Sequence, residues 1–280
     1  MTLLVNEMKT ETDRKNSFLR FVNERENVRI RRAKGVPAPW TTDEILREYH
    51  FCNVKRSDDR VTQWIGNWVS EWNEPNRWFA CAVARWINEP ETLEQLPTSW
   101  NPTIYKRILS RMDKDGVKIF RASYIINGMP GVKKYVSVVD TVLGTLAKNP
   151  PGKLPDLFEM CWRILREYPG QGSFMAGQIA FDWHTFGIIN AKDSLMWAPL
   201  GPGSIRGLNI IFKGDADAKK MSQEQGVKWL RELRTMVSEA LPIVGKRLEL
   251  MDIQNCCCEF NKYVRGYSKT KFVPHQEKFL

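Results

Sequence analysis

The stretch DDRVTQWIGNWVSEWNEPNRWFACAVARWI, residues 58–87, decides the fold class. Its apolar residues recur at helical spacing, first as Val61, Trp64, Ile65 and Trp68 and then as Phe79, Val83, Trp86 and Ile87. Glu74-Pro75-Asn76 breaks the pattern between two helices. Both apolar faces are expected in a core.

Working outward, residues 12–34 read as a helix of mixed charge, with Phe18, Phe21 and Val22 on one side and Arg25, Arg29, Arg31, Arg32 and Lys34 dominating its end. Gly35 stops it, and GVPAPW (35–40) is an extended connector that presents Trp40 at a corner. TTDE (41–44) then starts a helix, with Thr41 or Thr42 capping and the acidic pair favouring the positive helix end. Downstream, another helix follows Asn101-Pro102, and GVKIFRASYIIN (116–127) has the β-branched and aromatic content of a short strand or extended segment. Helices are expected over 132–148, 154–167 and 173–187, separated by NPPGKLP and YPGQG. A Gly-rich turn, LGPGSIRGL (200–208), precedes two amphipathic segments over about 219–240 and 243–264. With no repeat or long linker, the expectation is an all-α, single globular helical unit over 1–280, poorly ordered over about 15 residues at the start and about 12 at the end.

A chain of 280 residues can bury a sizeable core without a disulfide or metal staple. Its net charge of +10 favours a polyanionic partner, the plain alternative being a solvated basic face. The six cysteines, at 52, 81, 161, 256, 257 and 258, form no disulfide framework and fit a reducing compartment. The first twenty residues lack the apolar core of a signal peptide, and Arg85 interrupts the longest apolar stretch, FACAVARWI, so no membrane partner is expected and the location is read as cytoplasmic.

GxxxxGKS/T, HExxH and GxSxG are all absent, and only His50, His184 and His275 are present, which argues against a typical kinase or hydrolase. Cys256-Cys257-Cys258 cannot converge on one ion, because adjacent helical residues point about 100° apart, so no metal is expected. A divalent ion has no support in the residues, and no cofactor is predicted. In LGPGSIRGL, Gly201 and Gly203 could expose backbone N–H groups to a phosphate with Arg206 adding charge; a plain helix–helix turn is the alternative. Asp182 and Glu259 sit inside apolar helices, where a charge is costly unless it is paired or does acid–base work. The pairing alternative for Glu259 is Lys262, at helical spacing.

Three segments, RENVRIRRAKGVPAPWTTDEILREYHFCNVKRSDDRVTQWI, LGPGSIRGL and MDIQNCCCEFNKYVR, taken in this order resemble the α-glutamyl/putrescinyl thymine pyrophosphorylase family of phage DNA hypermodification enzymes. A related helical domain accompanies 5-hydroxymethyluracil DNA kinases, which carry a phosphate-binding loop that this sequence lacks. Gln254 and Asn261 stand where the family usually has acidic residues. The resemblance implies a helix-hairpin-helix DNA glycosylase-like fold, with LGPGSIRGL as a DNA-backbone hairpin and no iron–sulfur cluster. It implies DNA with a pyrophosphorylated 5-hydroxymethyl-deoxyuridine as substrate, the pyrophosphate being displaced by a small amine or amino acid in the cytoplasm of a phage's host. That chemistry asks for guanidinium donors where charge develops, and Arg29, Arg31, Arg32, Arg56 and Arg60 are the candidates, with Lys262 added for pyrophosphate or DNA. It asks for a carboxylate base, Asp182 or Glu259. A base leaving the stack needs a pocket, for which Trp40, Phe51, Asn53, Gln178 and Trp183 are the candidates. The rival readings are a base-excising DNA glycosylase and a non-catalytic DNA-binding protein.

Overall fold

In the computed structural model, which describes residues 8–121, 129–219 and 221–266, eleven main helices carry the chain: α1 (Glu11–Ala33), α2 (Glu44–Glu48), α3 (Arg60–Ser70), α4 (Arg77–Ile87), α5 (Pro102–Lys114), α6 (residues 134–148), α7 (Phe158–Arg166), α8 (Ser173–Thr185), α9 (Pro202–Lys213), α10 (Gln223–Ala240) and α11 (Leu250–Val264). There is no strand among the described residues, and the fold is all-α. The segment expected to be a strand or extended is irregular over 117–121; its residues 122–127 lie outside the described residues, as do the C-terminal tail and the first seven residues.

The chain divides into two compact units, one built from residues 1–59 and 194–280, the other from 60–193. In the first unit, Thr10 and Asp13 close a reciprocal cap on α1: the Asp13 N–H donates to Thr10 Oγ1 at 3.1 Å and the Thr10 N–H to Asp13 Oδ2 at 2.9 Å. Basic Arg31 and Arg32 complement the other end, and Gly35, at φ +69°, turns the chain away. Asp43 caps α2 by accepting the Leu46 N–H at 2.9 Å; Thr41, an expected cap, instead accepts the Asp43 N–H at 3.0 Å. Phe18, Phe21 and Val22 of α1 are buried, and Phe18 meets Phe260 of α11 edge-on with ring centroids 5.5 Å apart.

LGPGSIRGL is not a hairpin-like turn. Pro202 starts α9, and Gly203 and Gly207, one turn apart, press against α11. A Cβ on Gly207 would sit 2.0 Å from the Cys257 carbonyl oxygen, and one on Gly203 2.3 Å from Cys258 Sγ. These glycines let two helix backbones approach. The Gly201 N–H, expected to await a phosphate, donates to Ser204 Oγ at 3.0 Å, and Gln254 Nε2 donates to that same hydroxyl at 2.9 Å.

The second unit holds the stretch 58–87 from Arg60 onward, and its helices break where expected, α3 ending at Ser70 and α4 beginning at Arg77 after a 3-10 turn at Glu74–Asn76. Its core is a chain of edge-on aromatic contacts, Trp68 to Trp72 at 5.4 Å, Phe79 to Trp100 at 5.0 Å and Trp100 to Tyr105 at 4.9 Å. No helix among the described residues is long and apolar enough to cross a membrane.

Candidate active site

The first unit contains a cleft of about 280 Å³ whose walls include Trp40, Tyr49, His50 and Phe51 and whose basic residues are Arg25, Arg32 and Arg47. The connector 35–40 places Trp40 there, its indole N–H donating to the Val36 carbonyl and the Arg32 guanidinium lying over its ring at 4.9 Å. Arg31 donates to the Trp40 carbonyl and so pins the corner. Phe51 is 3% exposed, and the Lys262 ammonium lies 5.6 Å from its ring centroid.

Beneath this wall lies a network of charge. Arg25 of α1 is buried and grips the segment 51–53: Nη2 donates to the Phe51 carbonyl at 3.0 Å and Asn53 Oδ1 at 2.6 Å, and Nε to the Cys52 carbonyl at 3.0 Å. The Asn53 N–H donates to Asp59 Oδ1 at 2.8 Å. From α11, Glu259 accepts the Cys52 N–H at 3.1 Å and Lys262 Nζ at 2.6 Å, and Asp252 accepts the Arg56 N–H at 2.9 Å. Three segments that are distant in sequence, α1, the loop 51–59 and α11, thus converge on one polar floor.

Burial pushes Asp59 up to about 6, against the opposing pull of Arg56, the Asn53 N–H and Arg25. Burial likewise raises Asp252 to about 6, partly offset by two backbone N–H bonds. Burial is the largest single influence on Lys262 and disfavours its charge, but the attraction of Glu259, with Cys52 and Cys258 adding to it, holds it above the ordinary lysine value. Burial raises Cys258 to about 11 and Cys256 and Cys257 well above the usual thiol range, so these are unreactive thiols at neutral pH. No group of three or more His, Cys, Asp or Glu side chains among the described residues could hold a metal ion.

Residues 12–271 match the family described as "5-hmdU DNA kinase, helical domain". The chain belongs to that family. A relative, the 5-hmdU DNA kinase of Bacillus phage SP10, is 24% identical over 291 residues, which cover 89% of this chain and 45% of the relative. The chain therefore spans just under half that protein's length. No solved structure matches.

In this helical domain, the residues proposed from sequence separate. Trp40, Phe51, Asn53, Arg32, Arg56, Glu259 and Lys262 gather in the first unit around the cleft and its floor. Arg29 is engaged by Glu26 at 2.5 Å and Asp58 at 3.4 Å, and Arg31 by Glu24 at 3.2 Å. Arg206 pairs with Asp217 at 2.7 Å. Arg60 is exposed at the start of α3, in the second unit. Asp182, Gln178 and Trp183 also belong to the second unit, buried along α8. Asp182, expected as a base, has no exposed surface, and both its oxygens accept from the Arg85 guanidinium, at 2.5 and 2.6 Å. It is one half of a closed ion pair. Trp183, expected to hold a base, is a core residue whose indole N–H donates to the Trp78 carbonyl at 2.8 Å, and Gln178 is 2% exposed.

Arg25, Asp59 and Asp252 were missed as site residues. Arg25 had a readable signal, since it continues the spacing of Phe18 and Phe21 along the apolar face of α1 and so had to be buried with partners. For Asp59 there was none: Asp58 and Asp59 adjoin, and sequence does not say which one turns inward.

Proposed function

We propose that this helical domain modifies DNA carrying a substituted thymine, displacing pyrophosphate from pyrophosphorylated 5-hydroxymethyl-deoxyuridine with an amine. The observation that carries the reading is the cleft of the first unit, in which aromatic walls stand over a floor of fixed charge. An extrahelical pyrimidine needs a flat apolar face to replace the stacking it gives up, and the Trp40 indole in the cleft wall offers one, with Phe51 packed behind it. A pyrophosphate leaving group gathers negative charge as the exocyclic C–O bond breaks, and guanidinium and ammonium groups in or beneath the cleft, Arg32, Arg56 and Lys262, are the donors that would meet it. The net charge of +10 suits a phosphate backbone.

Membership of a helical family associated with 5-hmdU DNA kinases supports a modified pyrimidine as the target. A kinase phosphorylates the hydroxymethyl group and so converts a poor leaving group into a good one; displacement by an amine is the chemistry that consumes such a product. An all-helical scaffold with a cleft in its first unit suits an enzyme that draws a base from the duplex.

The test is to incubate the full chain with DNA containing the pyrophosphorylated base and a pool of amino acids, then digest to nucleosides for mass spectrometry. A nucleoside that carries the amine in place of the pyrophosphate, with pyrophosphate released, is expected. Free base with abasic DNA would instead identify a glycosylase, and DNA bound but unchanged a non-catalytic binder.

A further inference from the structure

The carboxylates of the first unit differ in how much of their hydrogen-bonding capacity is spent. Glu259 holds Lys262 and the Cys52 N–H; Asp252, 1% exposed, accepts the Arg56 N–H on one oxygen and the Glu249 N–H on the other. Asp43 caps α2 and accepts the Tyr263 hydroxyl, while Glu26 and Asp58 are bound by Arg29 and Arg247. Asp59 is otherwise. Its Oδ1 takes the Asn53 N–H at 2.8 Å, its Oδ2 has no hydrogen bond or ion pair among the described residues, and the residue is partly exposed. Asn53 is itself fixed by Arg25 and by the Asp58 carbonyl, at 2.6 and 2.8 Å. Asp59 thus stands one hydrogen-bonded residue, Asn53, away from the Arg25 that lines the cleft.

We propose that Asp59 is the group that deprotonates the incoming amine, an inference that rests on the pyrophosphate-displacement reading. An alkylammonium has no lone pair with which to attack. Transfer of one proton to Asp59 Oδ2 leaves R–NH2, whose lone pair forms the C–N bond at the exocyclic methylene as the C–O bond breaks, that electron pair departing on pyrophosphate. The transfer is uphill from an ordinary ammonium, and loss of pyrophosphate draws it forward. The charged or titratable groups facing Asp59 are Arg25 from α1, Glu259 from α11, and Arg56 and Cys52 from its own loop. Their balance with burial leaves Asp59 mostly ionised at neutral pH and able to accept a proton.

The experiment compares two nucleophiles in single-turnover pyrophosphate release: glycine, an ammonium at neutral pH, and methoxyamine, which is already neutral there. Asp59→Asn should lose about a hundredfold or more with glycine yet stay within about threefold of wild type with methoxyamine, because only the first needs a base. Equal losses with both nucleophiles, or no loss with either, overturn the assignment. Should Asp59→Asn fail to fold, wild type alone decides through its pH profiles: an acid limb near pH 6 with glycine and none with methoxyamine supports Asp59, and a limb common to both removes it. Wild type that releases no pyrophosphate with either nucleophile overturns the displacement reading, and Asp59 as base falls with it.

Discussion

In the second unit, the Arg85 guanidinium meets both oxygens of Asp182 at 2.5 and 2.6 Å, with the two side chains 2% and 0% exposed; in the first, Asp59 sits among Arg25, Arg56 and Glu259 with one oxygen bonded and the other spare. Both carboxylates are costly to bury, and the cost is met differently. The bidentate pair offsets desolvation with direct charge-assisted bonds and leaves nothing to offer a substrate. Asp59 is supported by backbone and by longer-range charge, and it keeps a basic oxygen at a cleft-forming loop. A buried charge is thus informative about function only through its unspent bonds.

The comparison breaks first at Asp182. Asp182→Asn strands a buried guanidinium and should cost about 3–5 kcal/mol of stability, the usual penalty for halving a buried pair. Thermal melting should show this as a large fall in Tm, with turnover per folded molecule retained. Turnover lost with Tm unchanged would return Asp182 to the chemistry. The next effect in size belongs to the helix contact beneath the site. Gly207→Ala drives a methyl to within 2.0 Å of the Cys257 carbonyl oxygen, so α9 and α11 must separate, at about 1–3 kcal/mol. Gly152, around which a Cβ would meet nothing within 4 Å, is the control, and its alanine variant should melt with wild type.

The helices were legible because burial imposes a 3.6-residue period: the break at Glu74-Pro75-Asn76, the buried side of α1, Ile65 and Trp68 in α3 and Phe79, Val83, Trp86 and Ile87 in α4 lie where the spacing put them, while Val61 and Trp64 are only partly buried. Glu259 with Lys262 was legible for the same reason, their separation being a helical step. Arg85 lies 97 positions before Asp182, and no local pattern announces a partner at that distance. Glycine in LGPGSIRGL had two physical uses, turning a chain or admitting a neighbour's backbone, and only the packing of α9 on α11 distinguishes them. The two-unit organisation was hidden because residues 60–193 are inserted within the other unit's sequence, which leaves no linker composition to read. For Trp40 and Phe51 the chain order placed the residues, but the cleft between them requires the path of the connector.

A smaller effect separates Asp252 from Asp59 by pH. Asp252 has a folded pKa of about 6, above the ordinary aspartate value of about 3.9, so the folded state binds this proton more tightly than the unfolded chain does. The stability it contributes is present in full below the unfolded value and is lost as pH rises through about 6. Asp252→Asn keeps an acceptor oxygen and removes the titration. The stability difference between wild type and this variant, read by denaturation at each pH, should therefore shift in favour of wild type as pH falls from about 7.5 to about 5, by an amount on the order of 1–2 kcal/mol. A constant difference across that range would mean that the carboxyl does not titrate there.

The smallest stability effect is expected where charge is neither buried nor spare. Arg206 and Asp217 pair at 2.7 Å, but their side chains are 43% and 75% exposed, and water screens the attraction. Arg206→Ala should change stability by about 0–1 kcal/mol, within the usual span for surface pairs. The Arg206 Nε is buried, but the part-exposed outer end of this guanidinium, on the first turns of α9, remains available to a phosphate, and a phosphate contact carries no information about the base. DNA affinity should then fall equally for modified and unmodified duplexes, and the slope of log affinity against log salt should shrink by about one counterion. Titration of both duplexes at several salt concentrations reads all of this at once. A loss confined to the modified duplex would put Arg206 at the base rather than the backbone. An unchanged slope would leave it as a partner of Asp217 alone, and the DNA path would then have to be sought among the basic residues of the cleft, Arg25, Arg32 and Arg47.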